Sequence, residues 1–112
     1  MADIKMDAAR EVAIMERAIA LYGVDHQVDV AIEEMAELTK AMLKMRRGAK
    51  SFGDWEAEWD AIREEMADVS IMLSQLELIY GDVADIEEAK LIRLQKRLDA
   101  LADQDMNMNV PC

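Results

Sequence analysis

Several residue types are scarce in this chain, and each scarcity excludes a class of protein. Among 112 residues there are one proline and four glycines, so little interrupts a helix. The single cysteine, Cys112, excludes a disulfide framework and a cysteine-rich zinc site, and fits a reducing cytoplasm. No segment approaches the roughly 20 uninterrupted apolar residues of a membrane span, and MADIKMDAAREV contains no apolar run of signal-peptide length. We therefore expect a soluble cytoplasmic protein.

Positive charge is also scarce, because 13 Lys and Arg residues stand against 24 Asp and Glu residues. The net charge of −11 argues against nucleic acid or an anionic membrane as a partner. Apolar residues make up 53% of the chain, which is enough for one modest core. The sequence predicts a single helical domain over residues 1–102, followed by a flexible tail over 103–112, where apolar periodicity stops.

Apolar residues recur every three or four positions, and this spacing predicts four helices connected as a bundle. The first helix should end at Gly23 in a left-handed cap. The second should end near Gly48, before the loop GAKSFGDW, and the third should run from about Trp55 to Tyr80. The expected N-caps of the second, third and fourth helices are Asp25, Asp54 and Asp85.

Two acidic pairs of the same design lie inside the predicted second and third helices. The segment IEEMAELTKAM carries Glu34 and Glu37, and REEMADVSIML carries Glu65 and Asp68. Residues three apart share one face of a helix, so each pair interrupts an otherwise apolar row. The two rows are Val30, Glu34, Glu37, Ala41 and Met45 on one helix, and Ala61, Glu65, Asp68, Met72 and Ile79 on the other.

If the two helices pack together, four carboxylates converge, and like charges that close cannot all stay ionised without a cation. A site with oxygen donors alone selects Mg²⁺ or Mn²⁺ over zinc or copper. The alternative is that the acids lie at the edge of the apolar stripe, where they are either solvated or paired with Lys and Arg. A carboxylate-bridged di-iron site is disfavoured, because it needs Glu-x-x-His on two helices and the one histidine, His26, follows no such Glu. A surface or capping role suits His26 better.

The two motifs resemble a known signature. EEMAE at residues 33–37 and EMAD at residues 65–68 are similar to the EExxE…ExxD pattern of the MazG-like all-α nucleoside triphosphate pyrophosphohydrolases. The resemblance spans roughly residues 24–98 and includes EAKLIRLQKRL, which is similar to that family's following basic helix. It implies an oligomeric all-α fold of four-helix-bundle type. It also implies Mg²⁺-dependent cleavage of a nucleoside triphosphate between the α and β phosphates, in nucleotide-pool control or house-cleaning.

The resemblance also implies roles for individual residues. By position, the metal ligands would be Glu34, Glu37, Glu65 and Asp68. Glu33 would orient or deprotonate the attacking water, while Lys90 and Arg93 would contact the substrate phosphates. An ordinary solvated basic face is an equal alternative for Lys90 and Arg93. The implied cofactor is Mg²⁺, which Mn²⁺ can replace, and the implied partner besides the triphosphate is a second copy of the chain, in a dimer or tetramer.

Two questions stay open at the level of sequence. Trp55 and Trp59, with Phe52, would either clamp a nucleobase or anchor a loop or subunit contact, and the second role is favoured. The chain as a whole would be either the hydrolase described above or a non-catalytic helical module whose acidic stripe is simply solvated. Release of pyrophosphate from a nucleoside triphosphate in the presence of Mg²⁺ separates the two functions.

Overall fold

A computed structural model describes residues 5–48 and 55–108, with side chains through residue 105. Over these residues the chain is all-α and contains no strand. The helices are α1 (Ala8–Tyr22), α2 (Val24–Gly48), α3 (Trp55–Tyr80) and α4 (Ala84–Met108). Four helices and the bounds of α3 are therefore confirmed. None of the described helices combines the length and the apolar character that crossing a membrane requires.

The chain divides into two compact units, which we call unit 1 (Met1–Gly81) and unit 2 (Asp82–Cys112). Unit 1 contains α1, α2 and α3, and unit 2 contains α4. The expectation of one domain over residues 1–102 stays a prediction. The helix α4 continues to Met108, so it enters the segment 103–112 for which the sequence predicted a flexible tail.

A single glycine joins α1 to α2. Gly23 has φ +96°, which favours glycine, and its N–H donates to the Ile19 carbonyl at 2.8 Å, so the predicted end of α1 at this residue is confirmed. The predicted left-handed cap is not found, because the ψ of Gly23 is 152°, far from the left-handed helical region. The Gly23 carbonyl in turn accepts the Gln27 N–H at 3.1 Å. Because this backbone bond already starts α2, Asp25 lies inside the first turn, and the prediction of Asp25 as the N-cap is wrong.

The start of α4 differs from its prediction in the same way. The Ala84 N–H donates to Asp82 Oδ1 at 3.1 Å, and the Glu87 N–H donates to the Val83 carbonyl at 2.8 Å. The helix therefore begins before Asp85, which lies in the first turn, where its charge favours the helix dipole. The prediction of Asp85 as the N-cap is therefore wrong. The predicted cap of α3, Asp54, lies outside the described residues.

Within unit 1, α2 and α3 make the most extensive contact and α1 packs against both. The pair is antiparallel, because Gln27 at the start of α2 bonds to Gln75 near the end of α3. At the opposite ends, Gly48 lies beside Glu58. This arrangement places the middle of α2, with its acidic pair, beside the middle of α3.

The core of the described residues is small. The buried side chains are two apolar ones, Ala31 and Met72, and two polar ones, Gln27 and Gln75. Many large apolar residues of unit 1 are at least half exposed, among them Ile14, Leu21, Ile32, Met66, Ile71 and Leu73. Among the described residues, much of the large apolar side-chain surface is therefore accessible to solvent.

Candidate metal centre

Three of the four predicted carboxylates meet between α2 and α3. Glu34 of α2 and Glu65 and Asp68 of α3 each offer an oxygen, and these oxygens lie within 4.8 Å of one another. We call these residues the acidic trio. They come together because each belongs to a row that faces the neighbouring antiparallel helix. Glu37, the fourth predicted ligand, is exposed and lies outside the trio.

The trio is partly removed from water. Glu34 and Glu65 are half-buried, whereas Asp68 is exposed. Glu65 Oε2 is buried and accepts no hydrogen bond. Among the described residues, no other buried side-chain nitrogen or oxygen lacks a hydrogen-bond partner. An unsatisfied carboxylate oxygen is costly to bury, since its hydration is lost without replacement. A cation at this oxygen would remove that cost.

The electrostatics of the trio raise the pKa of Glu34 above its ordinary value of 4.5. Partial burial is the largest cause, followed by the negative charges of Asp68 and Glu65. When Glu34 is protonated, its carboxyl group can also share the proton with the Glu65 carboxylate, and Glu37 adds a smaller repulsion. The site therefore resists holding all of its negative charges in the absence of a cation.

No basic side chain of the described residues neutralises the trio. The salt bridge found among them joins Arg63 to Asp60 at 3.7 Å, and both of those side chains are about three-quarters exposed. The described residues therefore do not contain the acidic stripe paired with Lys or Arg that the sequence left as an alternative. The donor set consists of carboxylate oxygens alone, and this chemistry fits Mg²⁺ or Mn²⁺.

The other predicted site residues lie on exposed surfaces. Glu33 is exposed on α2, close in sequence to the trio, and Lys90 and Arg93 are exposed on α4 in unit 2. Their predicted roles, in water activation for Glu33 and phosphate binding for Lys90 and Arg93, stay predictions. The ligand roles of Glu34, Glu37, Glu65 and Asp68 stay predictions as well.

The two tryptophans lie at the start of α3. Trp55 and Trp59 pack edge to face, with ring centroids 5.7 Å apart, and each is about half exposed. Trp59 also lines a cavity of about 340 Å³ with Met45, Ile62, Arg63 and Met66. Phe52, the third aromatic residue of this predicted group, lies outside the described residues. Both predicted roles of the two tryptophans, as a nucleobase clamp and as an anchor of a loop or subunit contact, stay predictions.

Sequence reasoning missed the most deeply buried polar pair. Gln27 Nε2 donates to Gln75 Oε1 at 2.7 Å, and both side chains are at most 5% exposed. Gln27 Oε1 accepts from His26 Nδ1 at 2.8 Å. His26 itself is exposed, as predicted for a surface role, and stacks on Tyr22. The signal that could have found the pair is spacing, because Gln27 precedes Glu34 by seven residues and Gln75 follows Asp68 by seven.

Comparison of the chain with protein-family models, with curated proteins and with solved structures finds no match. The resemblance to the MazG-like pyrophosphohydrolases therefore rests on the two acidic motifs, their separation and the basic segment that follows them. Function has to be argued from the chemistry of the acidic trio.

Proposed function

We propose that this chain is a Mg²⁺-dependent nucleoside triphosphate pyrophosphohydrolase that releases a nucleoside monophosphate and pyrophosphate. The observation that carries the proposal is the acidic trio: carboxylates from both motifs meet, and one of their oxygens is buried without a partner. No basic side chain of the described residues compensates their charge. A solvated acidic stripe needs neither the convergence nor the buried oxygen.

The residues of the trio would hold the ion. Glu34, Glu65 and Asp68 supply the converging oxygens, and Glu37, which lies one turn further along α2, is the proposed fourth ligand. When bound, Mg²⁺ supplies the positive charge that allows a triphosphate to approach four carboxylates. The neighbouring carboxylate of Glu33 is placed by sequence to orient or deprotonate the attacking water, while Lys90 and Arg93 are the proposed phosphate contacts.

The proposal includes a homo-oligomer, at least a dimer. Among the described residues, the only buried apolar ones are Ala31 and Met72, and both lie in unit 1. Unit 2, taken by itself, is one helix with an exposed leucine stripe of Leu91, Leu94, Leu98 and Leu101. In proteins most helical stability comes from packing an apolar face rather than from intrinsic helix propensity. A second copy of the chain offers apolar surfaces of the same kind.

The test is product analysis with a panel of ribo- and deoxyribonucleoside triphosphates in the presence of Mg²⁺. We expect stoichiometric monophosphate and pyrophosphate, and no activity in EDTA. Glu65→Gln is expected to lose the activity, while Glu64→Gln, an exposed neighbour on the same helix, is the matched control and should keep it. Failure of the folded protein to hydrolyse any member of the panel would favour the non-catalytic module instead. Equal activity of both variants would contradict the acidic trio as the site of hydrolysis.

A further inference from the structure

The buried amide pair links the start of α2 to the end of α3. Gln27 Nε2 donates to Gln75 Oε1 at 2.7 Å, and the second nitrogen of the pair, Gln75 Nε2, lies 3.5 Å from Met72 Sδ. Gln27 Oε1 accepts from His26 Nδ1. Each amide group thus has a partner inside the helical unit, and the pair is the only inter-helix hydrogen bond between side chains among the described residues.

The same helical register pairs the glutamines and the acids. Gln27 lies seven residues before Glu34 on α2, and Gln75 lies seven residues after Asp68 on the antiparallel α3. Seven residues are two turns, about 10 Å along each helix. The register in which Gln27 meets Gln75 is therefore the register in which Glu34 meets Asp68.

A shift of α3 along α2 by one turn would move both pairs apart by about 5.4 Å. An apolar helix pair has several registers of similar energy, because apolar contacts are not directional. A buried polar pair distinguishes among them, since its amide groups lose their partners in every other register. This role of a buried amide is well established in coiled coils, where a single one fixes register and costs stability.

We propose that Gln27 and Gln75 are positioning residues, which fix the α2–α3 register and so assemble the acidic trio. The inference rests on the proposed function, because the register has a purpose only if the acidic trio binds a cation. The register itself can be measured without any metal. The two glutamines lie two turns from Glu34 and Asp68 along their helices, so their effect on the site acts through the backbone positions of Glu34, Glu65 and Asp68.

The first experiment separates stability from metal binding. Gln27→Met and Gln75→Met each leave a buried amide without its partner and should lower the melting temperature. The double methionine variant replaces both amides by apolar groups of similar size and should recover most of that loss. We nevertheless expect it to bind Mn²⁺ at least tenfold more weakly than the wild-type protein. Gln104→Met, at an exposed glutamine of α4, is the control and should change neither property.

The second experiment reads the register directly by disulfide cross-linking in the Cys112→Ser background. Ala41 and Ala61 lie on the facing rows, at the positions that the observed register pairs, so Ala41→Cys with Ala61→Cys should cross-link in the wild-type pairing. Ala41→Cys with Ala57→Cys reports a slip of one turn. We expect the slipped cross-link only when the double methionine substitution is also present. Cross-links within one chain keep the mass of a single chain on a denaturing gel.

The outcomes separate this inference from the proposed function. An unchanged cross-linking pattern, or Mn²⁺ affinity within twofold of wild type in the folded double variant, overturns the positioning role. A shifted pattern in a protein whose wild type binds no Mn²⁺ upholds the register role and overturns the metal site. If the double variant does not fold, Gln75→Asn replaces it, because the shortened amide cannot reach Gln27. Unchanged cross-linking and Mn²⁺ affinity in Gln75→Asn would then overturn the inference.

Discussion

Glu65 is the residue at which burial and charge conflict most directly, because one of its oxygens is buried without a partner. We predict that Glu65→Gln and Asp68→Asn lower Mg²⁺-dependent hydrolysis by at least about 100-fold, the size of effect seen when an electrostatic group at a reacting centre is removed. In EDTA both variants should melt at the same temperature as the wild type or higher, since each removes a like charge. Thermal melting with and without Mg²⁺, beside rate measurements, checks both parts.

The control for these variants is Glu64→Gln, which removes the same charge from an exposed position of α3. It should leave the rate and the effect of Mg²⁺ on melting unchanged. A Glu65→Gln or Asp68→Asn protein that retains full activity, or that unfolds when metal is absent, would contradict the assignment of the trio.

The raised pKa of Glu34 leads us to predict that the stability of the protein depends on pH. Its pKa in the folded protein is raised above 4.5, mainly by partial burial and then by the charges of Asp68 and Glu65. A raised pKa means that the folded state binds this proton more strongly than the unfolded state. The contribution to stability is therefore fully present below the unfolded-state pKa, and it is lost as the pH rises through the raised pKa.

We expect this loss as a difference between the wild type and Glu34→Gln, measured by thermal melting in EDTA from about pH 4.5 to about pH 8. The wild type should lose stability relative to the variant as the pH rises. Saturating Mg²⁺ should reverse the trend, because the ion binds the ionised carboxylates. Parallel melting curves for the two proteins at every pH, with and without Mg²⁺, would be the opposite result.

Part of the site could be predicted from single residues, and part could not. The i, i+3 spacing was sufficient to place Glu34, Glu65 and Asp68 on facing rows. It could not tell that Glu37 stays outside the trio, because that depends on where two helices cross. The glutamine pair was missed for a related reason, since a polar residue on an apolar row is buried only if its partner stands opposite.

At the scale of the helix, two glycines set where elements end. Gly23 and Gly81 have φ of +96° and +117°, and a Cβ added at either would meet nothing within 4 Å. We therefore predict that Gly23→Ala and Gly81→Ala destabilise the protein by about 1–3 kcal/mol through backbone strain alone. Chemical denaturation measures the change.

Gly48 supplies the matched control, because it ends α2 and its φ lies outside the region that favours glycine. A Cβ there would approach Glu58 Oε1 at 3.2 Å, and the end of a flexible side chain can move away. Gly48→Ala should stay within about 1 kcal/mol of wild type or be more stable, as expected from helix propensity. Equal losses at all three glycines would refute the strain argument.

Periodicity predicted the helices but not their caps. The bounds of α3 and the end of α1 follow from apolar spacing that stops at a glycine. The predicted caps Asp25 and Asp85 were wrong, because backbone carbonyls of Gly23 and Val83 already begin α2 and α4. An aspartate in the first turn and an aspartate at the N-cap give nearly the same sequence pattern, and only the backbone bond distinguishes them.

For the whole molecule, we predict association into a homo-oligomer. The described part of the chain buries two apolar side chains, and exposed residues such as Leu73 continue the apolar rows of α3. We expect light scattering at micromolar concentration to show at least a dimer, with a melting temperature that rises with protein concentration. Leu73→Asp should shift the protein toward monomer and lower that temperature. A folded, fully active monomer would contradict this prediction.

The most direct test of the central claim, that the two acidic motifs form one cation site, is a Mn²⁺ titration followed by electron paramagnetic resonance. We predict that the wild type binds Mn²⁺ saturably and that Mg²⁺ displaces it. We also predict at least a tenfold loss of Mn²⁺ affinity in Glu65→Gln and wild-type affinity in Glu64→Gln. Equal affinity of all three proteins, or no saturable binding by the wild type, would contradict the claim.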